Sequence, residues 1–250
     1  MAATAHIARL RDDGERLAAS AAAAGLDAPV PTCPEWRVRD LVQHTGGVHR
    51  WATSYLLTGR ERETTEAEDA QFFERVEDGE LLPWFRAGHS ALVSALSSSS
   101  PDLACWTFLA STSPRNFWAR RQAHETAIHR ADADAAAGHG SSFPADFADD
   151  GIDELLNGFL VRPRGRLVSD PSVSLAIRTT DTGSAWTMRI EPDRRVVSAG
   201  AGDATCRVSG TASDLYLLLW NRQALDDRVE VGGDRAVLDL WRERATIRWS

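Results

Sequence analysis

The sequence predicts an α+β protein of two domains, an up-and-down four-helix bundle over residues 1–142 followed by a small α+β domain over residues 143–250. Three observations carry this expectation. A chain of 250 residues exceeds one small bundle and fits two domains of ordinary size. Its first part holds four stretches with apolar residues at three- and four-residue steps, the stripe of an amphipathic helix. Beyond residue 170 the period falls to two, with a turn signal between two alternating runs.

The first helix spans 5–24, with Ile7, Leu10, Gly14, Leu17 and Ala21 along one face and Gly25 as its stop. Residues 29–36 form a rigid, proline-rich connection in which Thr32 and Glu35 have capping-box spacing around Pro34. The second helix, 38–57, aligns Leu41, His44, Val48 and Tyr55, which turns His44 inward. Gly46 and Gly47 beside it cost about 1 kcal/mol each in helix propensity, so something must approach the backbone closely there. A charged connection over 60–80 leads to a third helix, 81–96, and a loop then leads to the fourth, 115–137. Ala123, Ala127, Ala131 and Ala135 line one side of that fourth helix, small enough for a neighbour to pack closely.

A further helix is expected over 147–160, then strands over 173–179 and 186–190 around Asp181-Thr182-Gly183. Shorter strands at 196–197, 206–208 and 229–231 alternate with helices over 213–222 and 235–244, an α+β arrangement with helices packed on a sheet.

Composition bounds the function. Hydrophobic residues are 43% and charged residues 26%, the balance of a soluble globular protein. The formal charge of -8 offers no overall field for nucleic acid or an anionic membrane, and no apolar run approaches the ~18 residues that span a bilayer. All 28 basic residues are arginine. Schiff-base, P-loop and kinase-type lysines are thereby excluded. Cys33, Cys105 and Cys206 are sparse, odd in number and without C-x-x-C spacing, which with no signal peptide points to free thiols in a reducing cytoplasm. There is no G-x-S-x-G, no complete dinucleotide fingerprint and no P-loop.

The chemistry concentrates in the fourth helix. Glu125 and His129 are four residues apart, so their side chains lie within ~40° of each other, one turn apart. They can supply two ligands to a divalent metal, or they can be a solvated face with Arg121 and Glu125 as an exposed pair. His44, alone, reads as a core histidine; added to the pair, it completes a set of two histidines and a carboxylate that an open catalytic site uses. Asp132 stands where it can hold one ligand by hydrogen bonding, or pair with Arg130. His124 and His129 diverge by roughly 140°, so H-E-x-x-H chemistry does not apply.

The blocks T-C-P-E-W-R-V-R-D-L-V-Q-H-T-G-G-V-H-R-W (32–51) and R-R-Q-A-H-E-T-A-I-H-R-A-D (120–132) resemble the mycothiol-dependent maleylpyruvate isomerase family, one of the DinB/YfiT-like metal-binding bundles. The tail blocks G-T-A-S-D-L-Y-L-L-L-W-N-R (210–222) and D-R-V-E-V-G-G-D (227–234) are similar to that family's sterol-carrier-like α+β domain. The resemblance implies that His44, Glu125 and His129 hold a divalent metal, usually zinc, and that mycothiol is the cosubstrate. It implies an isomerase or thiol S-transferase acting on a small electrophilic substrate; a non-enzymatic metal- or small-molecule-binding protein of the same fold is the alternative. With no lysine to meet an anionic substrate, Arg222 in the tail block is the expected catalytic arginine, its plainer role being a helix C-terminal charge. Arg37 and Ala131 depart from the family pattern, and neither is an implied ligand.

Overall fold

The computed structural model describes residues 1–163 and 165–247. The chain divides into two compact units, Met1–Ser141 and Ser142–Ser250.

The first unit contains α1 (Ala3–Ala24), α2 (Val38–Thr58), a short α3 (Glu66–Phe72), α4 (Asp78–Ser98) and α5 (Pro114–Ala136). Helix α1 packs on α5 and α4, and α2 packs on α4 and α5, so the four long helices form the expected bundle with α1 and α2 across its diagonal. Its inner stripe at one end is Leu17, Ala21, Val38, Leu41, Leu81 and Phe85, all at most 1% exposed. Each large side chain so buried contributes about 1.5–3 kcal/mol. The alanine stripe of α5 lies inside as well: Ala123 and Ala127 are fully buried.

The path through the bundle is up-down-down-up, where the sequence predicts an alternating up-and-down path. Residues 59–77 do not make a short hairpin but run back along α2, from Thr64, held by the Tyr55 hydroxyl at 2.8 Å, to Phe73, packed over Gly47. Helix α4 therefore starts beside the start of α2, where Arg39 pairs with Asp78, and the two run in the same direction, Trp84 beside Gly46 and Gly88 beside Arg50. The glycine pair has a structural cause. A Cβ on Gly46 would lie 2.2 Å from the Trp84 ring, and one on Gly47 2.5 Å from Phe73 and 2.9 Å from the Phe72 carbonyl.

Two local expectations change. Thr32 and Glu35 do not cap α2; Asp40 does, accepting from the Arg37 backbone N–H at 2.8 Å, and the Thr32 hydroxyl is used elsewhere. Arg121 and Glu125 are not a solvated pair, being 1% and 5% exposed.

The second unit opens with α6 (Ala145–Asp153), which continues as a π-helical segment, Glu154–Leu160. Its strands are β1 (Val173–Thr179), β2 (Ala185–Ile190), β3 (Arg195–Ala199), β4 (Cys206–Gly210) and β5 (Glu230–Gly233), with helices α7 (Ala212–Leu219) and α8 (Ala236–Arg244). The sheet order is β3-β2-β1-β4-β5, antiparallel except for the parallel pair β1–β4, which α7 and β5 follow. The β1–β2 hairpin turns through Gly183 at φ 76°, the left-handed conformation that glycine adopts without a Cβ clash. Trp186, Met188 and Ile190 alternate inward along β2. Thr211 caps α7 through the Asp214 N–H, and Trp241 of α8 donates to the Leu219 carbonyl at 2.9 Å. Among the described residues no helix is long and apolar enough to cross a membrane.

Candidate metal centre

Helices α2 and α5 run antiparallel: His44 meets Glu125 and His129 near the start of α2, and Trp51 meets Trp118 two turns on. Periodicity then does the rest, since Glu125 and His129 share one face of α5 and His44, Val48, Trp51 and Tyr55 one face of α2.

The three side chains converge. His44 Nε2 lies 3.4 Å and His129 Nε2 3.2 Å from Glu125 Oε1, and one ligand atom from each residue lies within 4.8 Å of the others. The two imidazoles stand nearly perpendicular at a centroid separation of 5.1 Å. Glu125 Oε1 is buried and neither nitrogen is aligned to hydrogen-bond it. Two imidazole nitrogens and a carboxylate oxygen facing one point are an arrangement that a positive charge completes, whether a proton on His129 or a metal cation. The spacing also suits one: tetrahedral bonds of ~2.05 Å place ligand atoms about 3.3 Å apart. Two imidazole nitrogens and a carboxylate oxygen are the donor set of an open zinc-type site.

Glu125 and His129 are each held from behind. Arg121, on the turn before Glu125, donates from Nη2 to Glu125 Oε2 at 2.9 Å, which leaves Oε1 for the centre. Asp132 accepts from His129 Nδ1 at 2.9 Å and so orients the ring with Nε2 toward the centre. Asp132 is itself fully buried and receives the Thr32 hydroxyl at 2.5 Å and the Cys33 thiol at 3.9 Å. Burial works against charge on these groups, and pairing outweighs it. Asp132 and Glu125 together raise His129 to about 9, while His129 and His44 keep Glu125 well below the usual carboxylate range. The cluster is therefore an ion pair on its own, and a dication can take the place of the imidazolium proton.

Aromatic rings form the rim. Trp36 lies 4.9 Å from His44 and 5.9 Å from His129 between centroids, and Phe73, 40% exposed, lies 6.3 Å from His44 on the other side. Two turns along the seam, Trp51, Tyr55, Trp106 and Trp118 pack with centroid separations of 5.1–6.0 Å.

The structure thus brings His44, Glu125 and His129 together and places Asp132 behind His129. Arg130, the alternative partner of Asp132, instead pairs with Asp13 and Asp134. Arg222 belongs to the second unit, just past α7, where Asn221 takes the left-handed conformation. Its N–H returns to the Leu217 carbonyl and its Nη1 donates to the Trp220 carbonyl, both at 2.8 Å, the behaviour of a helix C-terminal arginine. Sequence reasoning missed Arg121 as a buried anchor, Thr32 as a partner of Asp132, and Trp36 and Phe73 as the rim. The glycine pair was the one visible signal of the last.

Comparison with known proteins yields matches over both units. The family model described as the mycothiol maleylpyruvate isomerase N-terminal domain matches residues 7–134, and that described as the MDMPI C-terminal domain matches residues 146–240. Among solved structures, a mutant of the mycothiol-dependent maleylpyruvate isomerase aligns with a TM-score of 0.65 and 12% identity, covering 92% of this chain and 93% of that one. The unmutated protein aligns at 0.63 with the same identity and coverage. At that identity the likeness is one of fold. Comparison with curated proteins gives no match.

Proposed function

Since the chain belongs to the mycothiol maleylpyruvate isomerase family, we propose that it is a mycothiol-dependent metalloenzyme acting on a small electrophile, with His44, Glu125 and His129 as the metal ligands. The observation that carries the metal assignment is the buried Glu125 Oε1, which accepts no hydrogen bond and faces two imidazole nitrogens at tetrahedral ligand spacing. A divalent ion there, zinc by its donor set, would stabilise a cofactor thiol as its thiolate near neutral pH.

The chain's own residues supply the rest. Arg121 holds Glu125 so that one oxygen is presented; Asp132, steadied by Thr32, keeps His129 protonated at Nδ1 and available at Nε2. Trp36 and Phe73 flank the His44 ring. With no lysine in the chain, an anionic substrate has to be met by arginine, and Arg222 is the proposed catalytic group for that role. The reading places the protein in the cytoplasm, where a low-molecular-weight thiol is kept reduced.

Two outcomes suit this site. In isomerisation the thiol adds reversibly to an activated cis double bond and leaves unchanged after rotation; in S-transfer it stays on the product. Zinc-reconstituted protein incubated with mycothiol and maleylpyruvate, followed by mass spectrometry and separation of cis and trans products, distinguishes them. The proposal expects mycothiol-dependent conversion of one kind, diminished by Arg222→Met. Conversion that proceeds equally without mycothiol, or after complete metal removal, contradicts it.

A further inference from the structure

One buried polar group of the α2–α5 seam has no part in holding the triad. Gln122 is 1% exposed, and its Oε1 has no hydrogen-bond partner. Its direction follows from its neighbours on α5. With Glu125 at zero, Trp118 lies at about 20°, His129 at about 40°, Gln122 at about 60° and Thr126 at about 100° around the axis. Trp118 touches α2 through Trp51 and Tyr55, at 5.2 and 5.4 Å, and Thr126 touches it through His49 at 2.8 Å. Gln122, between them, faces α2 too. It sits one turn from Glu125, about 4.5 Å along the axis, between the triad and the aromatic cluster.

A buried amide oxygen without a donor is costly, and a methionine of the same length would carry no such cost. The donors of the aromatic cluster are already committed. Trp51 Nε1 donates to Thr64 at 3.0 Å, the Tyr55 hydroxyl is bonded to Thr64 at 2.8 Å, and Trp118 Nε1 donates to the Trp106 carbonyl at 3.0 Å. A donor group carried by a ligand would complete it. A carboxylate-rich electrophile of the maleylpyruvate kind offers chiefly acceptors. A thiol cosubstrate bearing amide N–H or hydroxyl groups offers donors.

We infer that Gln122 is a recognition residue for the thiol cosubstrate, its Oε1 accepting a hydrogen bond from an N–H or O–H group carried about one helical turn from the sulfur. This rests on the metal-thiol reading above. The assignment makes the α2–α5 seam a two-part site, the triad for the sulfur and Gln122 for the body of the thiol, with Trp51 and Trp118 as the wall beyond.

The test is calorimetric titration of mycothiol into zinc-reconstituted wild-type protein, Gln122→Met and Gln122→Asn, with zinc content and thermal melting measured on each. The inference expects Gln122→Met to bind mycothiol at least tenfold more weakly while holding the same zinc and melting no lower than wild type. Gln122→Asn, which retracts the acceptor, should weaken binding as well and carries the test if the methionine variant does not fold. In turnover assays the loss should fall on KM for mycothiol and not on KM for the electrophile. Binding within twofold of wild type in both variants, loss of zinc along with the thiol, or a KM change confined to the electrophile overturns the inference and leaves the metal-thiol reading standing. Failure of zinc-loaded wild type to bind mycothiol overturns both.

Discussion

Helix α5 treats its buried polar groups in two opposite ways. On the side facing α1 the carboxylate oxygens are all supplied with donors: Arg9 donates to both oxygens of Asp13 at 3.1 and 3.2 Å, Ser20 and Ser141 donate to Asp134 at 2.5 and 2.6 Å, and Arg130 lies 3.2 Å from both carboxylates. On the side facing α2 Glu125 and His129 are held from behind by Arg121 and Asp132, but the second carboxylate oxygen, Glu125 Oε1, accepts no hydrogen bond. A buried carboxylate with donors at both oxygens can be explained by register and stability alone. An open one imposes a desolvation cost that folding does not recover, and so points to a ligand.

The comparison can be broken from either side. The largest effect is expected from His44→Ala, which should abolish stoichiometric metal binding and reduce mycothiol-dependent turnover to background, with melting shifted by only a few degrees; metal analysis and a turnover assay check it. Retained metal with lost activity would move the site elsewhere. On the α1 side, Arg130→Ala leaves the fully buried Asp13 with Arg9 as its remaining ion-pair partner and should cost about 3 kcal/mol, a melting drop of roughly 10 °C, with metal content unchanged. A variant that melts normally but loses metal would invert the contrast.

A third effect concerns protons. Burial lowers His49 well below the ordinary histidine value, with His89 adding to it, and burial lowers His89 likewise. Both stay neutral in the folded bundle when the unfolded chain begins to take up protons, so their contribution is present at neutral pH and is lost as the pH falls below about 6.5. Each costs about 1.4 kcal/mol per pH unit in that range. Denaturant unfolding at pH 7.5, 6 and 5 should show this decline, and equal stability at the three would contradict it. The smallest effect is expected from Asp132→Ala, which releases the His129 ring and should weaken zinc binding by about 10- to 100-fold without removing the site; competition with a chelator of known affinity checks it.

Much of this was legible in the sequence because it depends on period. The four-residue spacing of Glu125 and His129 and the inward register of His44 are properties of single helices. What periodicity cannot encode is which helices become neighbours and in which direction. Residues 59–77 read as a charged connection, and only their return along α2 makes α4 run parallel to it and carries Phe73 to the rim of the site. Thr32 shows the same limit. Its spacing to Glu35 is that of a cap, and the partner that claims its hydroxyl, Asp132, is 100 residues away. Arg121 and Gln122 carry the signature of surface residues, and nothing local marks them as buried at 1% exposure. Their burial comes from α5 being enclosed on nearly every side.

The central claim is that the triad binds a metal and through it a cofactor sulfur. Absorption spectroscopy of cobalt(II)-substituted protein tests it most directly, because thiolate bound to cobalt(II) gives a near-ultraviolet charge-transfer band that a free thiol does not. Adding mycothiol should produce that band in the wild-type protein and not in His44→Ala. Cobalt protein that turns over substrate with mycothiol and yet shows no such band would contradict the claim.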